Sequence, residues 1–292
     1  MNDLSFLWLE ITGKCQLRCT HCYAESAPSG TDGAMALSDW EGVIEQAVGL
    51  GAGMVQFIGG EPTLHRGLPD LVNRALGFGM QVEVFSNLVH VPSGLWDVFA
   101  QQGVQLATSY YSDRADEHEH ITQGRGSHLR TKANIVEAVR RSVPLRVGVV
   151  DLGDGQRVEQ ARDELAALGV VGEVRVDRLR GVGRGARTAA PDASQLCGAC
   201  GDGRVAVASD GSVWPCVFSR WLPVGNVRVD PLVEILNGPT MQAATAALAG
   251  QFARVSPCVP TMCDPQCGPS CSPACAPANN CTPKGKCVPT EY

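Results

Sequence analysis

The chain has 292 residues, 44% of them hydrophobic, so it can bury a sizeable core and is not globally disordered. Its formal net charge of −6 and the lack of a basic stripe argue against a nucleic-acid partner. No apolar run approaches the length of a membrane span, and residues 1–9 carry Asp3 but no basic leader or cleavage site, so the expected location is cytoplasmic. In a reducing compartment thirteen cysteines read as metal ligands rather than disulfides. Three lie between residues 15 and 22, ten lie from Cys197 onward, and none lies between.

From residue 4 to about 179, short apolar runs alternate with amphipathic stretches. Strands are predicted at 4–12, 54–58, 81–85, 104–110, 145–150 and 173–179. Helices are predicted at 38–50, where Ser38 and Glu41 stand in capping-box spacing, and at 68–78, 128–141 and 157–168. Strand–helix units in succession predict parallel strands joined by right-handed crossovers. An open (β/α)6 barrel and a doubly wound sheet both satisfy that pattern. Residues 181–191 read as a connector into a second region. There, 204–208 and 212–214 flank Ser209-Asp210-Gly211 as a hairpin, and a helix is predicted from Pro231 to about Ala249.

The tail carries Cys258, Cys263, Cys267, Cys271, Cys275, Cys281 and Cys287, each two residues ahead of a proline. Proline fixes its own φ and pushes the preceding residue toward an extended form. A repeated Cys-x-Pro unit therefore pre-bends the chain around a metal and lowers the cost of ordering it. A zinc tail without redox function is the other reading of the same residues.

Just after the first strand, Cys15, Cys19 and Cys22 form a Cys-x3-Cys-x2-Cys loop. Three thiolates close in sequence can wrap one face of a four-iron cluster and leave the fourth iron without a protein ligand. An open coordination position is where a metal centre does chemistry rather than scaffolding. A structural zinc site would call for a fourth ligand, and no partner follows nearby. Gly59, Gly60, Glu61 and Pro62 follow the second strand directly; their glycines permit close backbone approach.

These motifs, in this order, resemble those of the radical SAM superfamily, with His21 where the cluster loop usually has an aromatic residue. The resemblance implies an α/β fold: a partial (β/α)6 TIM-like barrel over residues 1–185, followed by a small Cys-rich SPASM/twitch-like extension over 186–292. It implies that the open iron chelates the amino and carboxylate groups of S-adenosyl-L-methionine. Reductive cleavage then yields a 5′-deoxyadenosyl radical that abstracts hydrogen from substrate. By the same resemblance, Gly59, Gly60, Glu61 and Pro62 bind the ammonium group, Ser109 touches the ribose and Val149 contacts the adenine. The run 113–130, with His118, His120, Gly124, Gly126 and Ser127, resembles a segment of peptide-modifying members; its other reading is a solvated charged loop.

Cys197 and Cys200, ahead of Gly211-x4-Cys216, resemble the start of a SPASM or twitch extension, which binds auxiliary iron–sulfur clusters. The tail departs from the full SPASM pattern, since it has no Cys-x2-Cys. Ten cysteines exceed the eight that two fully ligated four-iron clusters require. The leading expectation is an enzyme that modifies a ribosomally synthesised precursor peptide by a crosslink, a thioether or epimerisation. A dehydrogenase or epimerase acting on a small molecule such as an amino sugar is the alternative. A non-catalytic electron-transfer protein is disfavoured, because a carrier needs no ligand turn like that at residues 59–62. Only 14 residues precede Cys15, so leader recognition is expected from a separate leader-binding protein or another surface. The expected reductant is a ferredoxin or flavodoxin. His118, His120, Glu119 and spare cysteines are acid–base or quenching candidates by type alone.

Overall fold

Side-chain alternation along β1 (Phe6–Thr12) sets the plan of the molecule. Leu7, Leu9 and Ile11 are fully buried in the main apolar core, while Trp8 and the buried carboxylate of Glu10 belong to the other face. The computed structural model describes residues 4–153, 155–171 and 174–252.

Helix α1 (Leu37–Gly49) follows, then β2 (Met54–Gly59), α2 (Leu68–Gly77), β3 (Gln81–Phe85), α3 (Leu95–Phe99) and β4 (Val104–Tyr110). Next come α4 (Ala115–Thr122), α5 (Ser127–Arg140), β5 (Leu145–Asp151), α6 (Val158–Ala167) and β6 (Arg175–Arg178). The chain then adds β7 (Arg204–Ala208), β8 (Ser212–Trp214), β9 (Gly225–Asn226), α7 (Leu232–Asn237) and α8 (Pro239–Phe252).

The strands form one sheet in the order β6-β5-β4-β3-β2-β1-β7-β8-β9. From β1 to β6 each strand lies beside its predecessor and parallel to it. A doubly wound sheet would reverse direction partway; this winding never reverses, which makes it an open barrel. The described strands do not close into a ring, since β6 and β9 stand at the two ends. Strand β7 extends the parallel set on the free side of β1, and β8 returns antiparallel to it through the Ser209-Asp210-Gly211 turn.

Helices cover one face of this sheet. Val55, Phe57, Val82, Val84, Leu106 and Val147 pack there against Trp40, Ile44, Leu71, Phe99, Ile135 and Leu165. Each such side chain removed from water contributes about 1.5–3 kcal/mol. The opposite face is polar within the strands. Glu83 accepts from Gln56, from Gln105 Nε2 at 2.9 Å and from Arg146 Nη2 at 2.7 Å, so a buried carboxylate is fully partnered inside the barrel.

Three local expectations are corrected. Helix α1 opens at Leu37, and Asp39 Oδ2 accepts from the Ala36 N–H at 2.8 Å; Ser38 and Glu41 make no capping box. Aspartate at the third helical position reaches back to the N-cap, so it takes the role assigned to Glu41. The helix expected from 231 to 249 is two helices. Pro239 has no N–H to continue the first, and Gly238 before it is extended. The run 113–130 is not a loop but α4, a turn through left-handed Gln123, and the start of α5.

Candidate functional site

The cysteine loop leaves β1 at a bulge. Glu10 pairs with Ile58 and Thr12 with Gly59, so β1 carries one extra residue, Ile11, at its C-terminal end. Beyond it the loop is anchored on two sides. The Gly60 N–H donates to Thr12 O and the Glu61 N–H to Lys14 O, each at 2.7 Å. The Arg18 and Thr20 N–H groups donate to Thr122 O and Ile121 O, the carbonyls at the end of α4. A helix C-terminus leaves its last carbonyls unpaired, and this loop takes two of them.

The Gly59–Gly60 pair is explained by that stitching. Gly59 has φ +132°, and a Cβ there would stand 2.3 Å from Thr12 O. A Cβ on Gly60 would stand 2.0 Å from Lys14 O. Only glycine lets the turn come this close to the cysteine loop.

Glu61 is fully buried. Its Oε1 accepts from Thr63 N at 3.1 Å, Thr63 Oγ1 at 2.8 Å and Ser86 Oγ at 2.8 Å; its Oε2 accepts from Asn87 N at 2.8 Å. Burial raises its pKa and these donors oppose the rise. The carboxylate therefore ties the turn after β2 to the end of β3. Asn87 continues the chain of contacts, because its Nδ2 donates to Cys15 Sγ at 3.6 Å.

Cys15, Cys19 and Cys22 are free thiols at the C-terminal mouth of the barrel. Burial pushes the Cys15 thiol up to about 12, with the charges of Glu61 and Cys22 adding to it. Cys19 is raised further, by burial and by its neighbours Cys22 and Cys15. Thiols so placed resist ionisation until a cation joins them, so the donor set fits a metal cluster and not a reactive nucleophile. Among the described residues, no three His, Cys, Asp or Glu side chains converge closely enough to hold a single metal ion. Ligands to different irons of a cluster stand further apart than ligands to one ion, so a cluster does not require that convergence. His21 packs edge-on to Tyr111 with ring centroids 5.0 Å apart, and burial lowers its pKa to about 4. Neutral at physiological pH, it behaves as the aromatic ring whose place it takes.

Ser109 lies on β4 opposite Gly148 of β5, half-buried and near the strand's C-terminal end. Val149 needs correcting. Alternation along β5 puts it with Val147 in the core, with no exposed surface, so a ligand in the barrel would meet Gly148 or Val150 instead. His118 is buried in α4 between the rings of Tyr110, Tyr111 and His128 at 5.1–5.3 Å, and burial lowers its pKa to about 3. It belongs to the support behind the cysteine loop. The Gly201 N–H donates to Pro215 O at 3.0 Å, which brings Cys200 beside Cys216 just past β8, while Cys197 is exposed. The neighbouring Cys200 and Cys216 thiols split each other's titration, holding Cys216 below the usual thiol range and pushing Cys200 above it. Cys258, Cys263, Cys267, Cys271, Cys275, Cys281 and Cys287 lie outside the described residues.

Two charged residues without a sequence motif join the cysteine groups. Arg220 Nη1 donates to both oxygens of Glu10, at 2.7 and 2.8 Å. Its Cζ lies 4.5 Å from the Trp214 ring and 5.9 Å from the Tyr23 ring, and Tyr23 meets Phe218 edge-on at 5.1 Å. Tyr23 follows Cys22, while Trp214 and Phe218 flank Cys216. The signal available in the sequence is a glutamate inside an otherwise apolar strand.

An open parallel barrel with a three-cysteine loop at its mouth, stitched to a Gly-Gly-Glu-Pro turn, defines the class. Residues 9–166 match the model of the radical SAM superfamily, and the chain belongs to it. Residues 197–272 match the SPASM iron–sulfur cluster-binding domain. The chain is 28% identical over 143 residues to the PqqA peptide cyclase of Xanthomonas oryzae pv. oryzae (strain MAFF 311018), covering 49% of this chain and 38% of that protein. It is 30% identical over 146 residues to the PqqA peptide cyclase of Xanthomonas campestris pv. campestris (strain B100), with the same coverage. These matches thus span under half the length of the curated relatives. Streptococcus suis SuiB bound to precursor peptide SuiA has a similar fold, with TM-score 0.70, 14% identity, and coverage of 84% of this chain and 67% of that one. Native anSMEcpe with bound AdoMet and Cp18Cys peptide matches with TM-score 0.66 and 14% identity, over 84% of this chain and 83% of that one.

Proposed function

We propose that this chain is a peptide-modifying radical S-adenosylmethionine enzyme, with residues 1–185 as the catalytic core and 186–292 as an auxiliary cluster region. Cys15, Cys19 and Cys22 would hold a 4Fe-4S cluster, and Cys197, Cys200 and Cys216 would share one or two auxiliary clusters with tail cysteines. Bound there, the cluster would supply the electron for reductive cleavage of S-adenosylmethionine, the chemistry that lets enzymes of this class abstract hydrogen from a substrate. The observation that carries this reading is the pair of 2.7 Å hydrogen bonds joining the cysteine loop to the Gly60–Glu61 turn.

The chain's own residues have separable tasks. The turn keeps backbone carbonyls beside the cysteine loop for an ammonium group, which would be costly to bury unpaired. Glu61 and Ser86 hold that turn still, and Ser109 faces the ribose position. The Glu83 network links the barrel-facing side chains of β2 to β5 through Gln56, Gln105 and Arg146. Precursor peptides as the substrate class are supported by the cyclase relatives and by fold neighbours described with bound peptides. A low-potential reductant such as ferredoxin or flavodoxin, and a separate leader-binding protein, complete the proposal.

The test replaces Cys15, Cys19 and Cys22 together by Ala. Formation of 5′-deoxyadenosine should stop while C-terminal iron remains; cleavage at the wild-type rate would refute the ligand assignment. Mass spectrometry of candidate precursor peptides incubated with reduced enzyme and S-adenosylmethionine tests the substrate class.

A further inference from the structure

Residues 181–191 read as a connector by composition, yet one of them holds the cysteine loop in place. Arg184 donates from Nε to Cys19 O at 2.7 Å and from Nη2 to Ser26 O at 2.8 Å, and its main-chain N–H donates to Cys22 O at 3.0 Å. One side chain and its own backbone thus satisfy three carbonyls of a loop more than 150 positions earlier in the chain. Gly183 makes the approach feasible. It has φ +56°, and a Cβ there would stand 2.3 Å from Tyr23 O and 2.6 Å from Cys22 O.

The charge is as telling as the geometry. Among the described residues the guanidinium is met by backbone carbonyls and by no carboxylate, so its positive charge is not cancelled locally. Arginine suits the position: its planar fork reaches two carbonyls at once and never gives up its proton. Reduction adds a negative charge to a cluster already ringed by thiolates, and a nearby cation favours the reduced form more than the oxidised one.

We propose that Arg184 is a positioning residue for the first cluster, which fixes the backbone around Cys19 and Cys22 and whose uncancelled charge raises the cluster's midpoint potential. This rests on the reading of Cys15, Cys19 and Cys22 as its ligands.

The experiment uses the full chain, reconstituted anaerobically, with a redox titration followed by electron paramagnetic resonance. The signal that S-adenosylmethionine perturbs identifies the first cluster. Arg184→Gln keeps a hydrogen-bond donor and removes the charge; Arg184→Lys keeps the charge and loses the fork. At a fixed potential the reduced-to-oxidised ratio should fall about tenfold in Arg184→Gln, about 59 mV for a one-electron couple, while Arg184→Lys stays closer to wild type. An unchanged midpoint in Arg184→Gln overturns the proposal. Should Arg184→Gln fail to retain iron, Arg184→Lys decides: iron and midpoint near wild type support the role, and an equal loss overturns it. The Cys15, Cys19 and Cys22 triple variant runs alongside. Persistence of the responsive signal there defeats the ligand assignment itself. Its disappearance, with an unchanged midpoint in Arg184→Gln, removes only the role of Arg184.

Discussion

The Asn87 N–H donates to Glu61 Oε2 at 2.8 Å, so the turn after β2 and the end of β3 move as one body. The same asparagine reaches Cys15 Sγ with its side chain, and through it the buried carboxylate is connected to the cysteine loop. Glu61→Gln should therefore act first on stability. The amide places an NH2 group where an oxygen accepted, leaving Asn87 N–H or the Thr63 and Ser86 donors without a partner. An unpaired buried group costs about 1–3 kcal/mol. A thermal melt should show that loss together with weaker S-adenosylmethionine binding and unchanged iron. An affinity 10- to 100-fold lower at an unchanged melting temperature would instead mean that the carboxylate faces the ligand directly.

Arg220→Ala strands Glu10 in the barrel interior, where the carboxylate has almost no exposed surface. Removing one partner of a buried pair costs about 3–5 kcal/mol. Adding Glu10→Gln in the same chain should recover part of it, since a neutral amide is cheaper to bury. Urea midpoints of the two single variants and the double variant measure this. Strict additivity would show that the two side chains are not coupled.

His118 links pH to stability with a definite sign. Its pKa falls from 6.5 to about 3 on folding, because burial and then the neighbouring His128 disfavour the imidazolium. The unfolded chain therefore takes up the proton first. Stability from this group is complete above pH 6.5 and declines as pH falls toward 3, by about 1.4 kcal/mol per unit at most. His118→Phe should flatten the dependence between pH 7 and 5.5 relative to wild type. Parallel curves from chemical denaturation at several pH values would show that His118 is not held neutral.

The two cysteine groups should separate in iron counts. Reconstituted wild type is expected to carry more than one cluster's worth of iron. Cys200→Ala with Cys216→Ala should lower it by about four irons and keep cleavage of S-adenosylmethionine, while the peptide product is lost. Zinc in the tail, with about four irons per chain in wild type, would favour a structural metal there.

Local spacing made the first motif legible: three cysteines within eight positions and a Gly-Gly-Glu-Pro turn after a strand are patterns the chain carries in consecutive residues. The strand pattern was equally local, and it limited the fold to two windings. Pairing decided between them, because the order β1 to β6 depends on hydrogen bonds between segments far apart in sequence. Tertiary contact also decided what individual residues do. Glu61 has its acceptors filled by Ser86 and Asn87, Val149 turns to the core because alternation gives β5 only two faces, and Arg184 reaches Cys19 across 165 positions. Composition alone sees a glutamate, a valine and a connector. Which partner each one meets depends on the folded path of the backbone, and that is set by the burial of many side chains together rather than by any short run of sequence.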